Sequence, residues 1–276
     1  MNRITFFNSG LNRLSCVITL PDRQSIKASV IFVHAANSNR LGPHRMFVEA
    51  ADRLKHAGIA SFRFDMRGCG DSEGYPAEND INPDIEDLRN AIEFLTSTYR
   101  TPKIFLFGIS RGAQVCLLTL AVNRLPVDGA VLLSTPFSST KTAVKTFSSR
   151  LKEYLYKFKD RETLKKFLSG KANLKQILKT LIFALNSRGR YHQNSNGFST
   201  RCPLFFIYGS EDPITADSAI HYSRICERYK ISHETAEIKN ANHSFFHYLW
   251  KEQIIIMSEK WMQKQIGNGE INDNLS

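Results

Sequence analysis

The sequence predicts an α/β fold: a mostly parallel, doubly wound sheet with helices on both faces. Three observations lead there. Short apolar runs alternate with stretches whose apolar residues recur at helical spacing, the pattern of successive βα units. Ile104-Phe-Leu-Phe107 is apolar at every position, as a strand covered on both faces must be. Directly behind it, Gly108-Ile-Ser-Arg-Gly112 opens into a helical stretch, Ala113 to Val122.

Taken in order, Ser15–Leu20 is predicted as an early strand ended by Pro21-Asp22, and Ala28–Val33 as a more buried one running into His34-Ala-Ala-Asn37. Pro43 to His56 is predicted helical, with Met46, Phe47, Ala50 and Leu54 on one face and Gly58 as its stop. Ala60–Phe64 is the next strand, followed by the glycine-rich loop Asp65–Gly74. Asp84 to Thr98 carries Ile85, Leu88, Ile92 and Leu95 at helical spacing. After the Ser110 strand and helix come a strand at Gly129–Ser134, then Leu204–Tyr208 (strand), Thr215–Arg228 (helix), Glu234–Ile238 (strand) and Tyr248–Gln265 (closing helix). The tail after Ile266 is expected to fray.

Residues 137–200 break the alternation. Val144, Phe147, Leu151, Tyr154, Leu155 and Phe158 make one apolar stripe, and Leu174, Ile177, Leu178, Leu181, Ile182 and Leu185 another. The expected organisation is a core of residues 1–136 and 201–276, with a helical basic cap, 137–200, inserted after the sixth core strand. Charge marks the same stretch. Between Lys141 and Arg201 stand 15 Lys/Arg against three acidic residues, while the rest of the chain holds 22 against 23. The net charge of +11 therefore belongs to the insert.

At 276 residues and 42% hydrophobic content the chain can bury a large core, and no apolar run reaches the roughly 18 residues of a membrane span. The first ten residues hold no apolar signal-peptide core. Five scattered cysteines without C-x-x-C spacing read as reduced thiols, so a cytoplasmic protein is expected. No metal-ligand set and no cofactor motif is visible, and apart from the charge nothing marks a nucleic-acid binder.

The chemistry is concentrated in a few loops. Ser110, between glycines two positions away on either side, sits where a strand turns sharply into a helix. That arrangement lifts a hydroxyl clear of the sheet and aims helix-terminal amides at a developing oxyanion. A serine nucleophile needs a base, and the base an orienting acid, in the chain order Ser, Asp/Glu, His. Asp212, in Gly209-Ser-Glu-Asp-Pro213, is the candidate acid, with Glu211 the near alternative. Among eight histidines, His243 in Asn240-Ala-Asn-His-Ser244 is the candidate base, and His247 is its nearest rival. The oxyanion hole is expected from the amides of Arg111 and Ala36. Asp65 and the loop Arg67–Ser72 read as structural, and His34 as an inward loop anchor.

Five motifs in this order, His34-Ala-Ala36, Phe64–Ser72, Gly108–Gly112, Gly209–Asp212 and Asn242-His243, resemble the α/β-hydrolase superfamily, in particular its serine aminopeptidase-like esterase group. Arg40–Phe47, Phe62–Gly74 and Leu168–Leu174 are similar to hydrolases associated with exosortase A systems. The resemblance implies an α/β-hydrolase fold, a triad of Ser110, Asp212 and His243, no cofactor, and a small-molecule ester, thioester or amide substrate cleaved through an acyl-enzyme. An acyltransferase or thioesterase of exopolysaccharide-type biosynthesis, and a non-catalytic binding protein on the same fold, are the alternatives. The basic cap would suit an acidic partner such as an acyl carrier protein or an anionic surface.

Overall fold

In the computed structural model, residues 2–22, 25–77, 80–122, 125–137, 200 and 202–273 are described. All the elements below belong to the unit formed by Met1–Pro136 with Asn196–Ser276. The expected cap falls outside the described residues except for Phe137 and Thr200 at its ends.

Eight strands form one sheet in the order β1-β2-β4-β3-β5-β6-β7-β8. They are β1 Asn2–Ser9, β2 Asn12–Thr19, β3 Ala28–Val33, β4 Ile59–Phe64, β5 Ile104–Ile109, β6 Gly129–Leu133, β7 Leu204–Gly209 and β8 His233–Ile238. From β3 to β8 every neighbour is parallel, whereas β1 and β2 form an antiparallel hairpin docked antiparallel on β4. β3, β4, β5 and β6 are buried at every residue, and apart from Ser29, Ser61 and Arg63 their sequences are apolar throughout.

Among the described residues five α-helices flank the sheet: α1 Met46–His56, α2 Asn82–Thr98, α3 Arg111–Val122, α4 Ala216–Arg228 and α5 Tyr248–Asp273. On one face, Met46, Phe47 and Leu54 of α1 and Ile254, Trp261 and Met262 of α5 bury Phe32, Phe105, Phe107 and Phe205. The rings of Phe32 and Phe47 stand 4.8 Å apart, and Trp261 stacks on Phe205 at 5.6 Å. The opposite face carries α2, α3 and α4. There Phe94 of α2 meets Phe7 and Phe62, and Tyr222 of α4 stacks on Phe206 at 5.4 Å. Residue parity along each strand decides which side chain goes to which layer.

Three expectations are corrected. The sheet begins at Asn2, ahead of the expected first strand: β1 pairs along its whole length with β2 across a two-residue Gly10-Leu11 turn. As an edge strand it exposes Ile4 and Phe6 and buries Phe7, so its alternation is weak. The helix expected from Pro43 is divided: Pro43–Arg45 form a 3₁₀ turn and the α-helix starts at Met46, because His44 (φ 48°) and Arg45 (φ 62°) are left-handed. The tail expected to fray after Ile266 continues α5 to Asp273. Residues 267–273 hold no proline, and extending an existing helix costs far less than nucleating one.

Candidate active site

Ser110 sits at the turn between β5 and α3 with φ 53°, a left-handed conformation that costs a non-glycine residue energy. The backbone holds it there. Its N–H donates to Leu133 O of β6 (2.9 Å), and its carbonyl accepts the N–H of Gln114 (3.1 Å) inside α3. The flanking glycines are a matter of space. A Cβ at Gly112 would lie 2.1 Å from Val33 O, and one at Gly108 2.7 Å from the backbone of Ala113. The first turn of α3 thus abuts the end of β3, a closeness that only glycine allows.

Asp212 and His243 lie on turns leaving β7 and β8, and a second glycine brings these turns together. Gly209 has no room for a side chain, since its Cβ would stand 2.1 Å from Ala241 O. Across that contact the N–H of Glu211 donates to Ala241 O (2.9 Å) and the N–H of Asn240 to Ser210 Oγ (2.8 Å). Phe245, fully buried, pins the far end of the histidine loop into the core.

The result is a continuous line of hydrogen bonds. His243 Nδ1 is 2.8 Å from Asp212 Oδ2, and His243 Nε2 is 2.9 Å from Ser110 Oγ. A carboxylate only accepts, so Nδ1 carries the proton and Nε2 is left to accept from the serine hydroxyl. The Asp212 side chain is wholly buried, and that of His243 keeps 27% exposure. Burial alone would raise the Asp212 pKa. The bonds from His243, from Thr215 Oγ1 (2.5 Å) and from the N–H of Ile214 (3.0 Å) outweigh it and hold the carboxyl below its ordinary value. Glu211, the alternative acid, is exposed. His247 is spent on the start of α5, where Nδ1 accepts the N–H of Leu249 (3.3 Å).

Arg111 is the first residue of α3, where a backbone N–H points out along the axis rather than toward a carbonyl four residues back. Its side chain leaves the site: Nε donates to the buried Asp84 (2.6 Å), and Nη2 to the carbonyls of Ala77 and Asp80 (2.7 Å each). Ala36 lies exposed on the loop after β3.

That loop is fastened by residues read as structural. Asp65, wholly buried, accepts the N–H of Arg40 (2.6 Å), the Arg40 guanidinium and the N–H of Asp71 (3.0 Å). His34 Nε2 accepts the N–H of Met66 (3.0 Å), so Nδ1 is protonated and donates to Ala35 O (2.8 Å). Burial lowers the His34 pKa and keeps the ring neutral. Sequence reasoning missed Thr215 and Arg40. A Thr three residues after an Asp is an Asx/ST-turn signal that could have exposed the first. Nothing local marks the second.

Among the described residues no helix is long and apolar enough to cross a membrane.

Solved structures share the architecture. The Pyrococcus furiosus esterase PF2001 superposes with a TM-score of 0.70 over 96% of this chain and 91% of that one, at 21% identity. Est1E from Butyrivibrio proteoclasticus, solved with ferulic acid bound, gives 0.68 over 95% and 99%, at 14% identity. Among curated proteins, the lysophosphatidylserine lipase ABHD12 of Danio rerio is 30% identical over 128 residues, 45% of this chain and 31% of that protein. The quorum-quenching protein AidA of Acinetobacter baumannii (strain MDR-ZJ06) is 31% identical over 137 residues, 48% and 43%. The matches thus span less than half the length of these curated relatives. Residues 24–253 match the family described as serine aminopeptidase, S33 (Hydrolase_4). With the α/β-hydrolase fold in place and that match covering most of its length, the chain belongs to the S33 serine aminopeptidase family of α/β hydrolases.

Proposed function

We propose that this hydrolase cleaves carboxylic esters or thioesters through a Ser110–His243–Asp212 triad. The observation that carries the reading is the line Ser110 Oγ, His243 Nε2, His243 Nδ1, Asp212 Oδ2, with steps of 2.9 and 2.8 Å. His243 takes the hydroxyl proton as Ser110 attacks the acyl carbonyl. It then returns that proton to the leaving alcohol or thiol, and water releases the acyl group by the same route. Asp212 holds the imidazole tautomer and stabilises the imidazolium formed in each half-reaction. The amides of Arg111 and Ala36 are the proposed donors to the tetrahedral oxyanion, supported by the abutment of α3 on the end of β3.

The expected outcome for Ser110→Ala is a loss of kcat on the order of 10³-fold or more with the melting temperature retained. A fluorophosphonate probe should label wild type on Ser110 and leave the variant unlabelled. A folded wild type that takes no label would defeat the reading.

Residues 137–200 are proposed as a helical basic cap insertion, on the strength of their two apolar stripes and concentrated positive charge. Kinship with exosortase A-associated hydrolases remains part of the same proposal and rests on the three motifs named above. A reducing, cytoplasmic setting is proposed from the five cysteines, all of them free thiols.

A further inference from the structure

Arg63 is a cation in the wrong place. It lies inside β4 and is only 4% exposed. Register pairs it with Phe32 of β3 and Val17 of β2, so its side chain leaves the sheet on the face that Phe32 shares with Phe47 of α1. Asp65, two positions on, emerges on the same face, but both its oxygens are taken by Arg40 and the N–H of Asp71. Asp71, in turn, pairs with Arg40 at 2.6 Å. Arg63 Nε has no hydrogen-bond partner. The charged groups that act on it are Arg40 and Arg45, both of its own sign, and together with burial they lower its pKa. Among the described residues neither Arg63 nor Arg45 has a carboxylate partner in an ion pair. A buried guanidinium that, among the described residues, has no carboxylate of its own, with Asp65 committed to Arg40, is costly unless something negative completes it.

The segment presenting Arg45 is itself strained. His44 and Arg45 are consecutive non-glycine residues with left-handed backbones, at φ 48° and 62°. Lys251 reaches across from α5 to hold the His44 carbonyl (3.2 Å) and Glu49 (2.5 Å). Strain maintained by outside contacts is characteristic of ligand clamps, and here it presents an exposed arginine whose charge acts on the buried one.

The geometry points to a small-oxyanion site, for a carboxylate or phosphate group, formed by the guanidiniums of Arg63 and Arg45 with Arg40 at its wall. Arginine suits this role, because its planar fork binds such groups in two-point fashion. The site sits at the loop that carries Ala36. By sheet geometry Arg63 is two strands, about 10 Å, across from β5 and three residues, about 10 Å, short of the register of Ser110. An acyl chain of moderate length could bridge that distance. The oxyanion is therefore either one end of the ester or a separate small anion, and only the first option depends on the proposed triad.

Inorganic phosphate, titrated against the full chain, tests the site without reference to activity. A saturable rise in melting temperature of about 3–6 °C at tenfold excess over Kd is expected for wild type. It should vanish in Arg63→Met and weaken in Arg45→Ala. Methionine keeps the buried volume without the charge, so that variant is expected to fold, and Arg45→Ala changes only an exposed position. A second arm compares 4-nitrophenyl esters whose acyl chains end in methyl or in carboxylate. A preference of roughly tenfold or more for the carboxylate in kcat/KM, competed by phosphate and reduced to about one in Arg63→Met, assigns the oxyanion to the substrate. Phosphate binding with no such preference assigns it to a free anion. Equal phosphate stabilisation of wild type and Arg63→Met, or none in either, overturns the site. Loss of all esterase activity with phosphate stabilisation intact counts against the triad alone.

Discussion

At the scale of single residues, Thr215 shows how one side chain can fix the orientation of another. Its hydroxyl donates to the same Asp212 oxygen that faces His243, and the Ile214 N–H occupies the other oxygen, so the carboxylate has one orientation available. Thr215→Val keeps the shape and removes that donor. The expected result is a fall in kcat on the order of tenfold, with KM and melting temperature little changed, whereas a drop confined to melting temperature would make Thr215 a purely structural residue. His34 is the residue-scale determinant of pH dependence. Its folded pKa is lowered by burial, so the unfolded chain binds the proton more readily. Stability is then complete above the ordinary histidine value of about 6.5 and declines as pH falls from there toward the folded value. Melting curves between pH 8 and 5 should show that decline, attenuated in His34→Gln. The lowered pKa of Asp212 acts in a separate window: its contribution is present above about pH 4 and is lost as pH falls further through the folded value.

At the scale of elements, the site depends on how closely backbones approach. The start of α3 touches the end of β3 only because residue 112 lacks a Cβ, and the β7 and β8 turns meet only because residue 209 does. Gly112→Ala is expected to push the helix from the strand, lower stability by about 2 kcal/mol, and reduce kcat more than KM. Thermal melts with steady-state kinetics check both halves. The edge hairpin is secured by a different device. Asp87 of α2 accepts from Ser9 of β1 (2.6 Å) and from the Arg67 guanidinium (2.6 Å), and Asn90 donates to the same serine (2.9 Å). Asp87→Ala leaves a mostly buried arginine with the exposed Glu86 as its remaining ion-pair partner among the described residues, and should cost about 3 kcal/mol in chemical denaturation.

At the scale of the whole molecule, the charge is divided between a near-neutral α/β body and a strongly basic stretch within residues 141–201. If that stretch steers anionic substrates toward the site, kcat/KM on a carboxylate-bearing ester should fall steeply between 20 and 500 mM salt, as screening shortens the Debye length from roughly 20 to about 4 Å. The same assay on a neutral ester should stay flat. Equal slopes for the two esters would remove the steering role.

Binary pattern and turn chemistry alone determined the sheet-forming runs from β2 onward, the helices between them, and the strand–turn–helix around Ser110. These are properties of neighbours along the chain, so periodicity and glycine placement carry them. Ser110, Asp212 and His243 stood out in sequence as candidates because a serine nucleophile, an orienting acid and a base are expected on successive post-strand loops. Tertiary structure alone decided how they meet. His243 reaches a serine 133 residues away and an aspartate 31 away, distances at which sequence holds no geometric information. It also decided that β1 pairs as an edge strand, that His44 and Arg45 turn left-handed, and that Arg40 clamps Asp65. Each depends on a neighbour supplied by another part of the fold. Arg63 is the clearest case: in sequence it is one polar residue in a strand, and only the layers closing over β4 make it a buried charge that has no counterion among the described residues.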